Sequence, residues 1–333
     1  MRRVFSGIQP SGVLHLGNYL GALVNWVRMQ ETADCVYCVV DLHAITSPTE
    51  HDPVTLRRRT VEVASGILAA GVDPEQSLLF VQSHLHEHAE CAWLFNCVAT
   101  YGELARMPQF KEKSAGRDTS VSAGLLTYPV LQAADILLYH ATDVPVGEDQ
   151  RHHIELARDI GQRFNHRFGR DVFTLPQAIH PQAAARVMDL QEPTNRMSKS
   201  ATTERGIVYL IDTPKAVEKK FKSAVTDSAT DIRYDRINKP GISNLLEIFA
   251  AATGRDVDAL AAEYDGRGYG TFKAEVAEAV IDMLAPIQQR YAELSNDPGE
   301  VHRILERGAE RARSIASATL ADAKDAMNLL PAS

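Results

Sequence analysis

The sequence predicts an α/β fold: a doubly wound parallel sheet over residues 1–210 followed by an all-helical part over 211–333. Three observations lead there. Short apolar runs alternate with amphipathic stretches through the first half, which implies strand–helix–strand units and a parallel sheet. A Gly/Pro/Ser turn follows the first apolar run, where such a sheet binds its ligands. Beyond Thr213-Pro214 the periodicity is helical throughout, with no clear strand.

Val4-Phe5 opens a buried first strand, which passes through Ser6–Gly12 into a helix starting at His15-Leu16-Gly17-Asn18. Asp34–Val40 is the second strand and Ser77–Gln82 the third. Between them Pro53–Gly71 is a helix, stopped by Gly71 and Asp73-Pro74. Thr127–His140 is an apolar helix with Pro129 in its first turn. Asp143–Gly147 is a short buried strand and Glu148–Phe168 a long helix, after which Ala184–Leu190 leads to a Ser/Lys loop. Lys215–Val225, Ile242–Thr253, Thr271–Glu293 and Pro298–Met327 form the helical part.

With 333 residues the chain is long enough for a large core and two domains. Its net charge of −8 argues against a generic polyanion binder, though not against a local basic patch that docks one RNA. No apolar run approaches the ~20 residues that span a bilayer. Gln9, Pro10 and His15 interrupt the stretch after the basic start, so it does not read as a signal peptide, and a cytoplasmic protein without membrane attachment is expected. Cys35 and Cys38 form a C-x-x-C, but three positions apart on a strand they face opposite sides. Cys91 and Cys97, six positions apart on a helix, are roughly 240° apart. Core packing is the reading for all four, and no resident metal is expected. Arg57-Arg58-Arg59 reads as a solvated helix face.

Four clusters carry chemistry. Gln9, Ser11, His15, Gly17 and Asn18 surround the first turn, where close backbone approach, N–H groups and polar side chains suit ribose and phosphate. Gly147-Glu148-Asp149-Gln150 follows a strand and opens a helix; acidic groups there bind ribose hydroxyls, although they also cap any helix. Arg196-Met197-Ser198-Lys199-Ser200 offers a mobile cation for phosphate on a loop that can close. Lys111 and Lys113 can reach pyrophosphate from another side, or simply be solvated. In the apolar helix, Tyr128, Gln132, Asp135 and Tyr139 recur on one face. A carboxylate at Asp135 is costly to bury unless something donates to it. It is either bonded within the protein or an acceptor for a ligand N–H or O–H. Phe5, His43, Val144 and Val146 are candidates to wall an apolar pocket beside it.

The His15–Asn18 turn resembles the HIGH signature of class I aminoacyl-tRNA synthetases, with Asn18 in place of the second His. The loop about 180 residues further on, Arg196–Ser200, resembles their KMSKS motif. Over essentially its whole length the chain resembles the bacterial tryptophanyl-tRNA synthetases. The resemblance rests on Phe5–Gly12, Gly17–Ala22, Asp41–Ile45, Ala133–Tyr139, Val144–Gln150, Met197–Ser200 and Lys222–Ser228. It implies a Rossmann-like catalytic domain over 1–210, carrying a helical dimer-interface insert and the 196–200 loop. It further implies a helical anticodon-binding domain over 211–333, a homodimer, ATP as substrate, Mg²⁺, tryptophan and tRNA(Trp).

The resemblance also implies ATP contacts at Gln9, Pro10, Ser11, Gly17, Asn18, Gly147, Glu148, Asp149, Val187 and the 196–200 loop. Asp135 then accepts the indole N–H, and Phe5, Gly7, Gln9, His43, Tyr128, Gln132, Val144, Val146 and Gln150 complete the tryptophan site. His15, Asn18, Lys199, Arg196 and Lys113 are the expected catalytic set. The sequence departs from the family at Gln132, where several relatives carry Met, at Leu42, where several carry Gln, and at Arg196, where the motif begins with Lys. Three alternatives stay open: a tyrosyl-tRNA synthetase, a small nucleotidyltransferase whose activity would survive loss of the helical domain, and a tryptophan-binding paralogue that charges no tRNA.

Overall fold

The protein was analysed as a computed structural model that describes residues 2–46, 53–114, 121–147, 150–180, 186–198 and 203–330, with side chains 112–114 left aside. Strand β1 (Arg3–Ile8) leads into α1 (Leu16–Asn18), which continues through a π-helical turn, Tyr19–Leu23, into α2 (Val24–Met29). Then come β2 (Asp34–Val39), α3 (Asp41–Ala44), α4 (Pro53–Ala69), β3 (Leu78–Val81), α5 (Glu87–Asn96), α6 (Tyr101–Arg106), α7 (Pro108–Ser114) and α8 (Ala123–Leu137). β4 (Asp143–Pro145), α9 (Arg151–Phe168) and β5 (Gln177–Ile179) complete the sheet. The remainder is α10 (Pro214–Lys222), α11 (Pro240–Thr253), α12 (Val257–Tyr264), α13 (Tyr269–Asn296) and α14 (Pro298–Ala326).

The strands lie in the order β3-β2-β1-β4-β5, every neighbouring pair parallel. The order reverses between β1 and β4, so the ligand crevice of such a sheet opens at their carboxyl ends. Strand β2 is apolar on both faces because both faces are covered. Cys35, Tyr37 and Val39 enter one core cluster with Val4 and Trp26; Val36, Cys38 and Val40 enter the other with Phe5 and Phe80. Cys35 and Cys38 thus do face opposite sides, and Cys91 is buried while Cys97 is exposed.

Two expectations need correction, both in the helix before β4. The helix placed at Thr127–His140 runs Ala123–Leu137, because Ser122 caps it: its Oγ accepts from the Leu125 amide at 3.2 Å. Pro129 consequently lies inside the helix rather than in its first turn, leaving the Leu125 carbonyl without its usual helical donor. The edge strand β5, three residues between Pro176 and His180, carries too little periodicity to be seen in sequence. Helices α6, α7 and α12 were likewise not anticipated.

Helix α14 returns to the sheet. Ala309, Ala312, Ala316, Leu320 and Ala323 join the core cluster of Phe80 and Phe95, over the edge strand β3. Gly308 permits that approach, since a Cβ there would collide with the Leu79 carbonyl oxygen. A cut at residue 210 therefore strips part of the sheet's own core, and activity after such a cut does not separate a synthetase from a small nucleotidyltransferase. Gly308→Ala is expected to destabilise the chain by about 1–3 kcal/mol in urea unfolding. An unchanged midpoint would contradict the close approach.

Candidate active site

The turn after β1 is held by capping. His15 is the N-cap of α1: its Nδ1 accepts from the Asn18 amide at 3.3 Å, and Asn18 Oδ1 accepts from the His15 amide at 3.1 Å. Because Nδ1 accepts, a neutral His15 ring carries its proton on Nε2. Residues 207–210 pin the turn from the side, the Leu16 amide donating to Val208 O at 2.8 Å and the Leu210 amide to Leu14 O at 3.0 Å. Gln9 and Ser11 are exposed at the mouth, and Pro10 is buried beneath them.

The two sequence motifs meet in space. A Cβ on Gly17 would lie 3.0 Å from His15 Nδ1 and 3.5 Å from the Met197 carbonyl oxygen. Met197 is buried and its amide donates to Val187 O at 3.1 Å, so Val187 and the start of the 196–200 loop are one hairpin. Arg196 is exposed and bridges back toward Met188. Asn244 of α11, itself buried, grips the Met188 backbone at both ends: Oδ1 accepts from its amide at 2.8 Å and Nδ2 donates to its carbonyl at 3.0 Å. Asn244 was not anticipated, and a single Asn in an apolar helix gives no sequence signal of this grip. Gly147 is exposed beyond β4, and Gln150 occupies the N-cap position of α9. Glu148, Asp149, Lys199 and Ser200 lie outside the described residues. Lys113 falls on α7, and nothing is described of its side chain.

The second half of the site centres on Asp135 of α8, 1 % exposed. Its carboxylate takes three hydrogen bonds. Gln82 Nε2 reaches Oδ1 at 2.7 Å, His88 Nδ1 reaches Oδ1 at 2.7 Å, and His43 Nε2 reaches Oδ2 at 2.8 Å. Burial pushes the Asp135 pKa up, but the bonds from His43 and His88 outweigh it and hold it below the usual carboxylate range. The group is therefore a buried anion, and the facing ring nitrogens are its donors.

Around it, Phe5 of β1 stacks on Tyr139 at 5.8 Å between centroids. The Tyr128 ring stands edge-on to His43 at 6.3 Å, and its hydroxyl meets His153 Nε2 at 2.8 Å. Burial pushes the Tyr128 phenol up to about 12. Val144 is buried, Val146 and Gln132 are half-buried, and Gly7 is exposed on β1. Asp135, His43, Tyr128 and Phe5 are thus brought together as expected. Gln82 and His88 were missed. Gln82 was visible as the polar end of a buried strand, whereas nothing in sequence marks His88. Leu42 enters through its backbone, its amide donating to Gln82 Oε1 at 3.1 Å.

A turn built for anions and a buried acceptor, on one doubly wound sheet, suit a nucleotide-dependent enzyme with a second polar-ringed substrate. The family model described as class I tRNA synthetases (W and Y) matches residues 1–285, and the chain belongs to that family. Relatives at about half identity over its whole length are tryptophan--tRNA ligases. It is 54% identical to Tryptophan--tRNA ligase 2 of Streptomyces avermitilis over 99% of this chain and 98% of the relative. The tryptophanyl-tRNA synthetase of Mycoplasma pneumoniae superposes with a TM-score of 0.89 at 37% identity, covering 99% and 98% of the two chains. That of Campylobacter jejuni, complexed with ADP and tryptophan, gives 0.83 at 35% identity over 98% and 100%.

The sign of the Asp135 effect on stability follows from its lowered pKa. Its ionised form contributes stability above the unfolded carboxylate value, and that contribution drains away as pH falls toward the lower folded value. The stability gap between wild type and Asp135→Asn should be widest above about pH 4 and narrow by roughly 1.4 kcal/mol per pH unit below it. Urea titrations between neutral pH and pH 3 measure this; a pH-independent gap would mean that Asp135 is not held as an anion.

Proposed function

We infer that this chain joins tryptophan to tRNA(Trp) using ATP. The observation that carries the reading is Asp135: a buried anion ringed by donors that follow strands β2 and β3, in a chain related along its length to tryptophan ligases. In the first step the tryptophan carboxylate attacks the α-phosphate of ATP in line, giving tryptophanyl-adenylate and pyrophosphate. In the second the terminal ribose hydroxyl of the tRNA attacks the acyl carbon, and AMP leaves. The first step requires no protein base, because a carboxylate is already the nucleophile.

The residues divide the work. Asp135 accepts the indole N–H, and Phe5, Gly7, His43, Tyr128, Gln132, Val144, Val146 and Gln150 shape the pocket. Gln9, Pro10, Ser11, Gly17, Gly147, Glu148, Asp149 and Val187 bind the nucleotide. His15 Nε2, Asn18, Arg196, Lys199 and Lys113 compensate phosphate charge as it shifts during transfer. Ser198 and Ser200 shape the loop that carries Lys199. Residues 9–18 include no carboxylate, which fits Mg²⁺ arriving on the ATP phosphates rather than in a protein cage. Mg²⁺ there would screen phosphate charge.

Residues 1–210 form the catalytic domain and 211–333 the part that reads the anticodon. Two chains pair as a homodimer, a reading supported by the large exposed side chains Trp93 and Tyr101 on α5 and α6, 68% and 74% exposed. The enzyme works in the cytoplasm; no described helix is long and apolar enough to cross a membrane.

ATP–pyrophosphate exchange with each of the twenty amino acids tests the reading. Exchange with tryptophan alone is expected; exchange with tyrosine would overturn the substrate, and none with any amino acid would overturn the activity. In the same assay Asp135→Ala is expected to raise the tryptophan KM by at least ~100-fold with the ATP KM little changed. Lys199→Ala should slow single-turnover adenylate formation by ~100-fold or more while tryptophan affinity changes little. A near-wild-type rate would remove Lys199 from the chemistry.

A further inference from the structure

Among the described residues, the hydrogen bonds to Asp135 leave one acceptor position open. An ionised carboxylate offers about four acceptor positions. Gln82 and His88 fill two on Oδ1, and His43 fills one on Oδ2. The remaining position lies on Oδ2. Gln82 is set by the Leu42 amide, which holds Oε1 at 3.1 Å and so turns Nε2 toward Asp135. His88 has a support of its own. Its Nε2 lies 2.8 Å from the Tyr139 hydroxyl, and both side chains are fully buried.

We propose that His88, its ring held at both nitrogens between the Tyr139 hydroxyl and Asp135, is the positioning residue that aims the open acceptor position of Asp135 and so sets selectivity for a substrate ring bearing an N–H. This rests on the reading that Asp135 accepts the indole N–H. The donors run one way: Tyr139 O–H donates to His88 Nε2, and His88 Nδ1–H donates to Asp135 Oδ1. Because the ionised Asp135 can only accept, Nδ1 carries the His88 proton, and Nε2 of the neutral ring takes its donor from the Tyr139 hydroxyl. Without the phenol the buried Nε2 loses its partner and the ring its second anchor, so the Nδ1–H that aims Asp135 is free to turn. Burial keeps Tyr139 in its phenol form by pushing its pKa well up.

The rings cannot easily leave. The Phe80 ring stands 5.8 Å from His88 and 5.7 Å from Tyr139, and Phe5 lies parallel to Tyr139 at 9°. Neither His88 nor Tyr139 touches the substrate in this reading. They fix the direction of the group that does, and a donor on a locked ring directs more tightly than one on a free side chain.

The test compares tryptophan with its benzothiophene isostere, in which sulfur replaces the ring N–H, in ATP–pyrophosphate exchange. Wild type, Tyr139→Phe, His88→Leu and His88→Asn are assayed as full-length chains. The wild type should favour tryptophan in kcat/KM by at least ~100-fold. Tyr139→Phe should narrow that ratio tenfold or more through the tryptophan KM, with the ATP KM unchanged. His88→Asn, whose amide can donate from the place of Nδ1, should keep more of the ratio than His88→Leu. A folded Tyr139→Phe with the wild-type ratio overturns the proposal; should His88→Leu fail to fold, Tyr139→Phe decides alone. A wild type indifferent to the isostere defeats the Asp135 reading itself, whereas a selective wild type with a selective Tyr139→Phe defeats only the role of His88.

Discussion

The buried carboxylate of Asp135 constrains more of this molecule than any other group. An anion at that depth is tolerable only while donors surround it, and removing one partner of a buried charge costs about 3–5 kcal/mol. Its donors come from three places in the chain: His43 on α3, Gln82 just after β3, and His88 on α5. Each leaves the sheet at the carboxyl end of a strand, so the pairing that positions β1, β2 and β3 also closes the ring of donors. Fold and recognition are therefore coupled here. A shift in register that moved His43 or Gln82 would leave the charge without partners before it altered any ligand contact.

The turn after β1 is organised differently. It depends on backbone groups and caps rather than on buried charge. His15 and Asn18 exchange hydrogen bonds within one turn, and the second motif reaches them through the Met197 carbonyl beside Gly17. That hairpin is in turn gripped by Asn244 on α11. A carboxylate ringed by side-chain donors thus contrasts with a turn held by backbone groups and caps.

Much of this was legible in the sequence because the governing signals are local. The β1 turn, the apolar β2 and β3 runs and the Ser/Lys loop each declare themselves within about ten residues, and the parallel sheet follows from their alternation with helices. Asp135 was legible for a physical reason: a lone carboxylate in an apolar helix demands a partner. His88 was not legible, because it reaches Asp135 across the fold and breaks no local pattern; Gln82 stood out as a polar residue ending a buried strand, but nothing local shows which group it meets. The start of α8 was misplaced for the opposite reason. Two local signals competed, and the Ser122 cap prevailed over Pro129 as an N1 residue. The tie between Asn244 and Met188 joins residues more than fifty positions apart and has no local trace.

The return of α14 to strand β3 has a consequence for synthesis. β3 is an edge of the sheet, and an unpaired edge beside an uncovered apolar face invites association with other chains. Its cover is supplied by Ala309, Ala312, Ala316 and Leu320, which are made long after β3. Until they emerge, the growing chain carries its finished strands with one flank open, so the nascent protein must be shielded, or must be made quickly, over that interval.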